Sequence, residues 1–210
     1  MDFSCDSCEE IFQLKSQRRP FGSKVTDAAF GPMVERITSS IAPSFLFLHY
    51  AADSWLVRDL LFVPRFFLSH SVIERRRALP AWARRAGWVG CNILLSSLPL
   101  DARIPVVRAG TPLPEETVRD AWRRFDFLRG DDPESRGWMA DVLGCVRELR
   151  QETFRLSDVY AFELRLARLH PLNRNVRPKI RQQLQVLRDH GVLNFFGQGR
   201  YRVLLLPSLA

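Results

Sequence analysis

The chain has 210 residues, with 31 Lys+Arg against 23 Asp+Glu and a formal net charge of +8, enough length for one sizeable core or two small ones. The positive balance favours a polyanionic partner and argues against a small neutral substrate. No apolar run reaches the roughly 18 residues that a membrane helix needs, and Asp2, Asp6, Glu9, Glu10 and Lys15 stand where a leader would be apolar, so a cytoplasmic protein with no membrane partner is expected.

Residues 24–40, "KVTDAAFGPMVERITSS", read as an imperfect helix with Ala28, Val34 and Ile37 toward a core and a bend near Gly31-Pro32. "SFLFLHYAADSWLVRDLLFVP" follows as two apolar runs joined by a polar turn, the pattern of a buried strand pair. A mixed sheet flanked by helices is implied. "RRRALPAWARRAGWVGCNILLSSLP" sets arginines around Trp82 and Trp88, and "ARIPVVRAG" predicts a further short strand. "LPEETVRDAWRRFDFLR" has proline and two glutamates at its start and basic residues at its end, which suits a helix closing a first domain. "GDDPES" at 130–135 reads as a linker, dividing the chain into 1–131 and 132–210.

Beyond that point the texture is helix upon helix: "RGWMADVLGCVREL", "LSDVYAFELRLARLHP" with Ser157 as its cap, and "RPKIRQQLQVLRDHG" ending at Gly191. "VLNFFGQGRYRVLLL" then reads as a β-hairpin around Gly-Gln-Gly. Helices followed by a hairpin outline a winged helix-turn-helix, and the whole chain is of α+β class.

On the helix expected to start at Lys179, the residues Ile180, Leu184 and Leu187 share one face, while Arg181, Gln185 and Arg188 share the opposite one with Gln182 beside them. Arginine bonds guanine bidentately and glutamine does so with adenine, so this stripe suits a recognition helix in a major groove. Alone, such a stripe is more often a solvated face. Arg174, Arg177 and Lys179 ahead of it, and Arg200 and Arg202 in the hairpin, add cations for phosphates and shift the balance to DNA. Trp88, flanked by Gly87 and Gly90 and preceded by Arg84 and Arg85, is expected in an exposed loop where an aromatic ring can stack on or wedge beside a base. Trp55, Trp122 and Trp138 are taken as core residues.

Asp2 followed by Gln13-Leu14-Lys15 is a carboxylate and then a Gln-x-Lys step, whose alternate residues share one side of a strand. Metal-dependent nucleases need a carboxylate and a second oxygen to hold Mg²⁺, with a lysine to orient or activate water. By spacing alone, a solvated strand is the better reading. Cys5 and Cys8 have the spacing of half a tetrahedral zinc site, whereas Cys91 and Cys145 stand apart among apolar residues and read as buried thiols.

"DFSCDSCEEIFQLKS", "ARRAGWVGCNI", "SRGWMADVL" and "KIRQQLQVLRDHG" occur in the order found in the DpnI-like methylation-dependent restriction endonucleases, the Dam-replacing proteins, which this sequence closely resembles. The resemblance implies a PD-(D/E)xK nuclease domain followed by a winged helix. It implies Mg²⁺-dependent cleavage of double-stranded DNA at GATC with methylated adenine, by a protein acting as a monomer. It makes Asp2 a metal-binding aspartate, Gln13 the occupant of the second acidic position, Lys15 the motif lysine and Trp88 the residue approaching methylated adenine. Cys5 and Cys8 become the downstream pair of a four-cysteine zinc site.

Gln13 departs from the family's glutamate, keeping an oxygen but losing a charge. Family members also carry a segment ahead of this point that holds the first zinc-binding pair, whereas Asp2 is the second residue here. The expectation is therefore either a start assigned too late or a shortened relative with impaired zinc binding and catalysis. A winged-helix reader of methylated DNA that has lost cleavage is the alternative. A methylation-indifferent winged-helix regulator would leave the residues of the opening motif without a role.

Overall fold

The computed structural model describes residues 2–6, 9–39 and 41–204. Its elements in chain order are β1 (Asp2–Ser4), β2 (Ile11–Gln17), β3 (Lys24–Ala29), α1 (Phe30–Ile37), β4 (Ser44–Tyr50), β5 (Val57–Val63), β6 (Ile73–Arg75), β7 (Gly90–Leu94), β8 (Ile104–Arg108), β9 (Thr111–Pro112), α2 (Glu115–Arg123), α3 (Pro133–Glu148), β10 (Thr153–Arg155), α4 (Leu156–Tyr160), α5 (Glu163–Leu169), α6 (Val176–Asp189), β11 (Leu193–Phe195) and β12 (Arg200–Val203).

Among the described residues the strands form three sheets, ordered β1-β2-β4-β5-β8-β9, β3-β7-β6 and β10-β12-β11. Only the β2–β4 pair is parallel. A parallel pair needs a crossover, and β3 with α1 supplies it. The mixed sheet flanked by helices is therefore present, and β4, β5 and β8 lie where the apolar runs place them.

Side chains alternate across the large sheet. Phe45, Phe47 and Val63 enter the main core with Phe66, Phe67 and Trp138, while Phe62 and Ile104 face the other way onto Ala121 of α2. Gln13 and Lys15 are registered with Phe45 and Phe47, so both project on the main-core side of the sheet. That face looks toward β3, whose Val25 is part of the same core.

The helix expected over 24–40 is half right. Lys24–Ala29 is a strand, paired antiparallel to β7, and only Phe30–Ile37 is helical. Pro32 falls in the first helical turn, where its missing N–H costs nothing. The bend at Gly31-Pro32 is thus a helix start.

"GDDPES" is likewise a helix start and not an open linker. Oδ1 of Asp132 accepts from the N–H groups of Glu134 and Ser135 at 2.9 and 3.0 Å, and Pro133 opens α3. One hydrophobic core runs across the boundary: Trp138 of α3 is fully buried, in a cluster that contains both Phe67 and Leu184. The bonds from Ser135 and Glu134 hold the Asp132 carboxyl below its ordinary 3.8, so its stabilising effect is present above that value and is lost as pH falls through the lower folded one. Asp132→Ala is expected to cost about 1 kcal/mol of stability at neutral pH; denaturant unfolding at pH 7 and again in strong acid should show the difference shrinking in acid.

α6 begins at Val176 and not at Lys179, so Arg177 and Lys179 lie in its first turn; Ile180, Leu184 and Leu187 are buried as its periodicity requires. Ser157 is not a cap. The carboxylate of Asp158 accepts the Arg155 N–H at 2.7 Å at the start of α4 instead, and a break at Ala161–Phe162 separates α4 from α5. The final hairpin turns at Gly197, Gln198 and Gly199, all with positive φ, and β10 adds a third strand to it. No helix among the described residues is long and apolar enough to cross a membrane.

Candidate functional site

β1 and β2 pair antiparallel with Asp2 opposite Gln13, and Lys15 follows on the same side of β2. Asp2, Gln13 and Lys15 are therefore brought together by one strand register. Gln13 Nε2 donates to Asp2 Oδ1 at 2.8 Å. The second Asp2 oxygen accepts from an Arg36 Nη at 2.7 Å, a cation delivered by the last turn of α1. Burial alone would raise the Asp2 carboxyl, but the Gln13 bond and the Arg36 charge outweigh it and hold it below 3.8.

Lys15 turns inward. Its Nζ donates to Asp27 Oδ1 of β3 and lies 5.6 Å from the Phe45 ring centroid. The lysine side chain is 18% exposed and the aspartate 5%, so the two sheets are joined by a largely buried ion pair. Neither Asp27 nor Arg36 stood out in the sequence, because both fall in the segment read as one bent helix.

Hard cations are held by oxygen donors. The side-chain oxygens here are those of Asp2, Gln13 and Asp27, and two of them, Gln13 Oε1 and Asp27 Oδ2, are buried without a hydrogen-bond partner. That donor set fits Mg²⁺. No group of three His, Cys, Asp or Glu side chains is gathered among the described residues, and the trio here is two carboxylates and a carboxamide.

Of the cysteine pair expected to bind zinc, Cys8 lies outside the described residues; Cys5 is half-buried, and its N–H donates to the Glu10 carbonyl at 3.0 Å. Cys91 and Cys145 are fully buried as expected. Burial, and next the Asp27 charge, pushes the Cys91 thiol up to about 11, and burial pushes Cys145 to about 11 as well, so neither is a nucleophile at neutral pH.

The loop before β7 is pinched at its base by two backbone bonds, Leu79 N–H to Trp88 O and Gly87 N–H to Leu79 O, both 2.9 Å. Trp88 is half-buried, not a free loop residue: its ring lies on Gly90, where a Cβ would come within 2.7 Å of it. The Arg85 guanidinium covers the ring at 4.7 Å, while Arg84 is exposed beside it. Trp82 projects from the tip, 88% exposed. Trp138 is core, but Trp55 is not; it is 73% exposed at the β4–β5 turn, stacked on Tyr50 with centroids 5.4 Å apart.

On α6 the side chains of Arg181, Gln182, Gln185 and Arg188 are all exposed, with Lys179 half-buried. Arg181 Nη1 donates to the Tyr160 hydroxyl at 3.1 Å, which orients it. Arg174 ahead of the helix and Arg200 and Arg202 in the hairpin are exposed too. A surfaced Arg/Gln helix, a basic three-stranded wing and a net positive chain together define a DNA-binding protein.

The particular kind follows from comparison. The profile of the Dam-replacing family matches residues 1–131, and that of the Dam-replacing HTH domain matches residues 134–203. The chain belongs to the Dam-replacing family, as its opening motif implies, with a mixed α/β domain followed by a helix-turn-helix domain.

Proposed function

We propose that the protein is a methyl-directed type II restriction endonuclease that hydrolyses double-stranded DNA at GATC with methylated adenine. Its N-terminal part, residues 1–131, is read as a PD-(D/E)xK nuclease domain and residues 132–210 as a winged-helix reader. The observation that carries this reading is the register that sets Asp2 against Gln13 with Lys15 on the same side of the strand.

Asp2 and Gln13 are the residues that would hold Mg²⁺. The ion, when bound, polarises the scissile phosphate and offsets its developing charge. Lys15 orients the attacking water by donating to it, and its charge is kept in the site by Asp27. Attack in line with the leaving oxygen breaks the phosphodiester. Trp88, backed by Gly90 and covered by Arg85, offers a rigid aromatic face to a methylated adenine.

Digestion of methylated and unmethylated GATC plasmids with Mg²⁺, paired with a binding assay in Ca²⁺, tests the reading. Cleavage of the methylated plasmid alone is expected. Methyl-selective binding without cleavage would instead identify a reader that has lost catalysis, and binding indifferent to methylation a general DNA-binding protein.

A further inference from the structure

Two buried oxygens in the candidate centre lack a donor. Gln13 spends its amide N–H on Asp2, and its Oε1 has no donor in reach among the described residues. Asp27 gives Oδ1 to the Lys15 ammonium, and its Oδ2 is buried and undonated in the same way. Each such orphan costs about 1–3 kcal/mol, and buried acceptors in native proteins have partners. A pair of them beside one lysine suits a hard cation, which accepts carboxylate and carboxamide oxygens alike.

The geometry brings them toward one place. Lys15 Nζ sits over Phe45, the residue registered with Gln13 and not the one registered with Lys15. The ammonium therefore leans back along β2 toward Gln13, and Asp27, bonded to it, is drawn in from the second sheet. Charge points the same way. Asp2 and Gln13 offer one negative charge between them, with a lysine and Arg36 close by, whereas Mg²⁺ sites commonly use one or two carboxylates.

We propose that Asp27 is the second carboxylate of the divalent-cation site, supplying from the neighbouring sheet the charge that Gln13 lacks. The inference rests on the metal-dependent nuclease reading and adds a ligand that its motif does not contain. It also gives the ion pair a second purpose: Lys15 holds the Asp27 carboxyl in place on the face that Gln13 shares.

Titration of the full chain with Mn²⁺ in the absence of DNA, followed by calorimetry, tests it. Asp27→Asn is expected to weaken Mn²⁺ binding by about 10–100-fold or more, and Gln13→Glu in the Asp27→Asn background to recover most of the loss. Asp27→Asn binding Mn²⁺ as the unaltered protein does overturns the inference and leaves Asp2, Gln13 and Lys15 as proposed. If the unaltered protein binds no Mn²⁺, the metal-dependent reading falls with it. Should Asp27→Asn fail to fold, Lys15→Met with Asp27→Asn removes both charges and leaves neither unpaired; native Mn²⁺ affinity in that variant overturns the inference, and a loss of at least about tenfold supports it.

Discussion

Lys15→Ala is expected to lower cleavage of methylated GATC DNA by about 10²–10⁴-fold while DNA affinity in Ca²⁺ stays unchanged. The kinetic loss follows from removing the one ammonium that shares a strand face with Gln13 and that the β1–β2 register places near Asp2. Binding is spared because the proposed base-reading side chains are on α6, far along the chain on another element. The same substitution carries a stability cost. It strips the buried Asp27 of its counter-ion, and removing one member of a buried pair typically costs about 3–5 kcal/mol. Single-turnover rates should therefore be taken well below the lowered melting temperature. Lys15→Met with Asp27→Asn, which leaves no unpaired charge, should recover much of the stability and none of the cleavage. Cutting at the native rate by folded Lys15→Ala would refute the assigned centre.

What the sequence could reveal of this arrangement depended on whether the deciding interaction was local. The strands β4 and β5 announce themselves as apolar runs because both of their faces are covered, one by the main core and the other by the smaller cluster with α2. α6 is legible because Ile180, Leu184 and Leu187 repeat at the helical period and are buried together. The stretch Lys24–Ala29 was not, since Asp27, Ala28 and Ala29 carry no strand preference and adjoin a real helix. Pairing with β7 decides its state, and that partner lies more than sixty residues away, as the Thr26–Asn92 bond shows.

The same long-range dependence conceals the most informative side chain in the site. Read on a helix, Asp27 is one more polar residue on a solvated face; on β3 it points at Lys15 from across the gap between two sheets. The start of α3 is different, for there the signal was local and was available: an Asp followed by Pro is a cap and a first helical residue. Trp55 lay beyond reach, because nothing in its neighbours distinguishes a tryptophan stacked on Tyr50 at an exposed turn from one in a core.

Arg181→Ala combined with Gln185→Ala is expected to weaken binding of the preferred site by on the order of 10²–10⁴-fold, since each bidentate base contact is worth about 1–3 kcal/mol of discrimination. The two residues are suited to this because the helix leaves them no other task of weight. Ile180, Leu184 and Leu187 hold α6 in place from beneath, and Gln183 is buried with them. Arg181 is braced by the Tyr160 hydroxyl, so it approaches a base already oriented. Both are exposed, so folding stability should change by no more than about 0.5 kcal/mol. Arg174→Ala and Arg200→Ala make the contrast. As phosphate contacts they should weaken binding about equally on every sequence and each reduce the salt slope by about one. Anisotropy titrations of methylated GATC and scrambled duplexes across a salt series separate the two behaviours: the α6 pair should lose the difference between the duplexes and keep the slope. Equal losses on both duplexes would move recognition off α6 and leave it a phosphate-binding face.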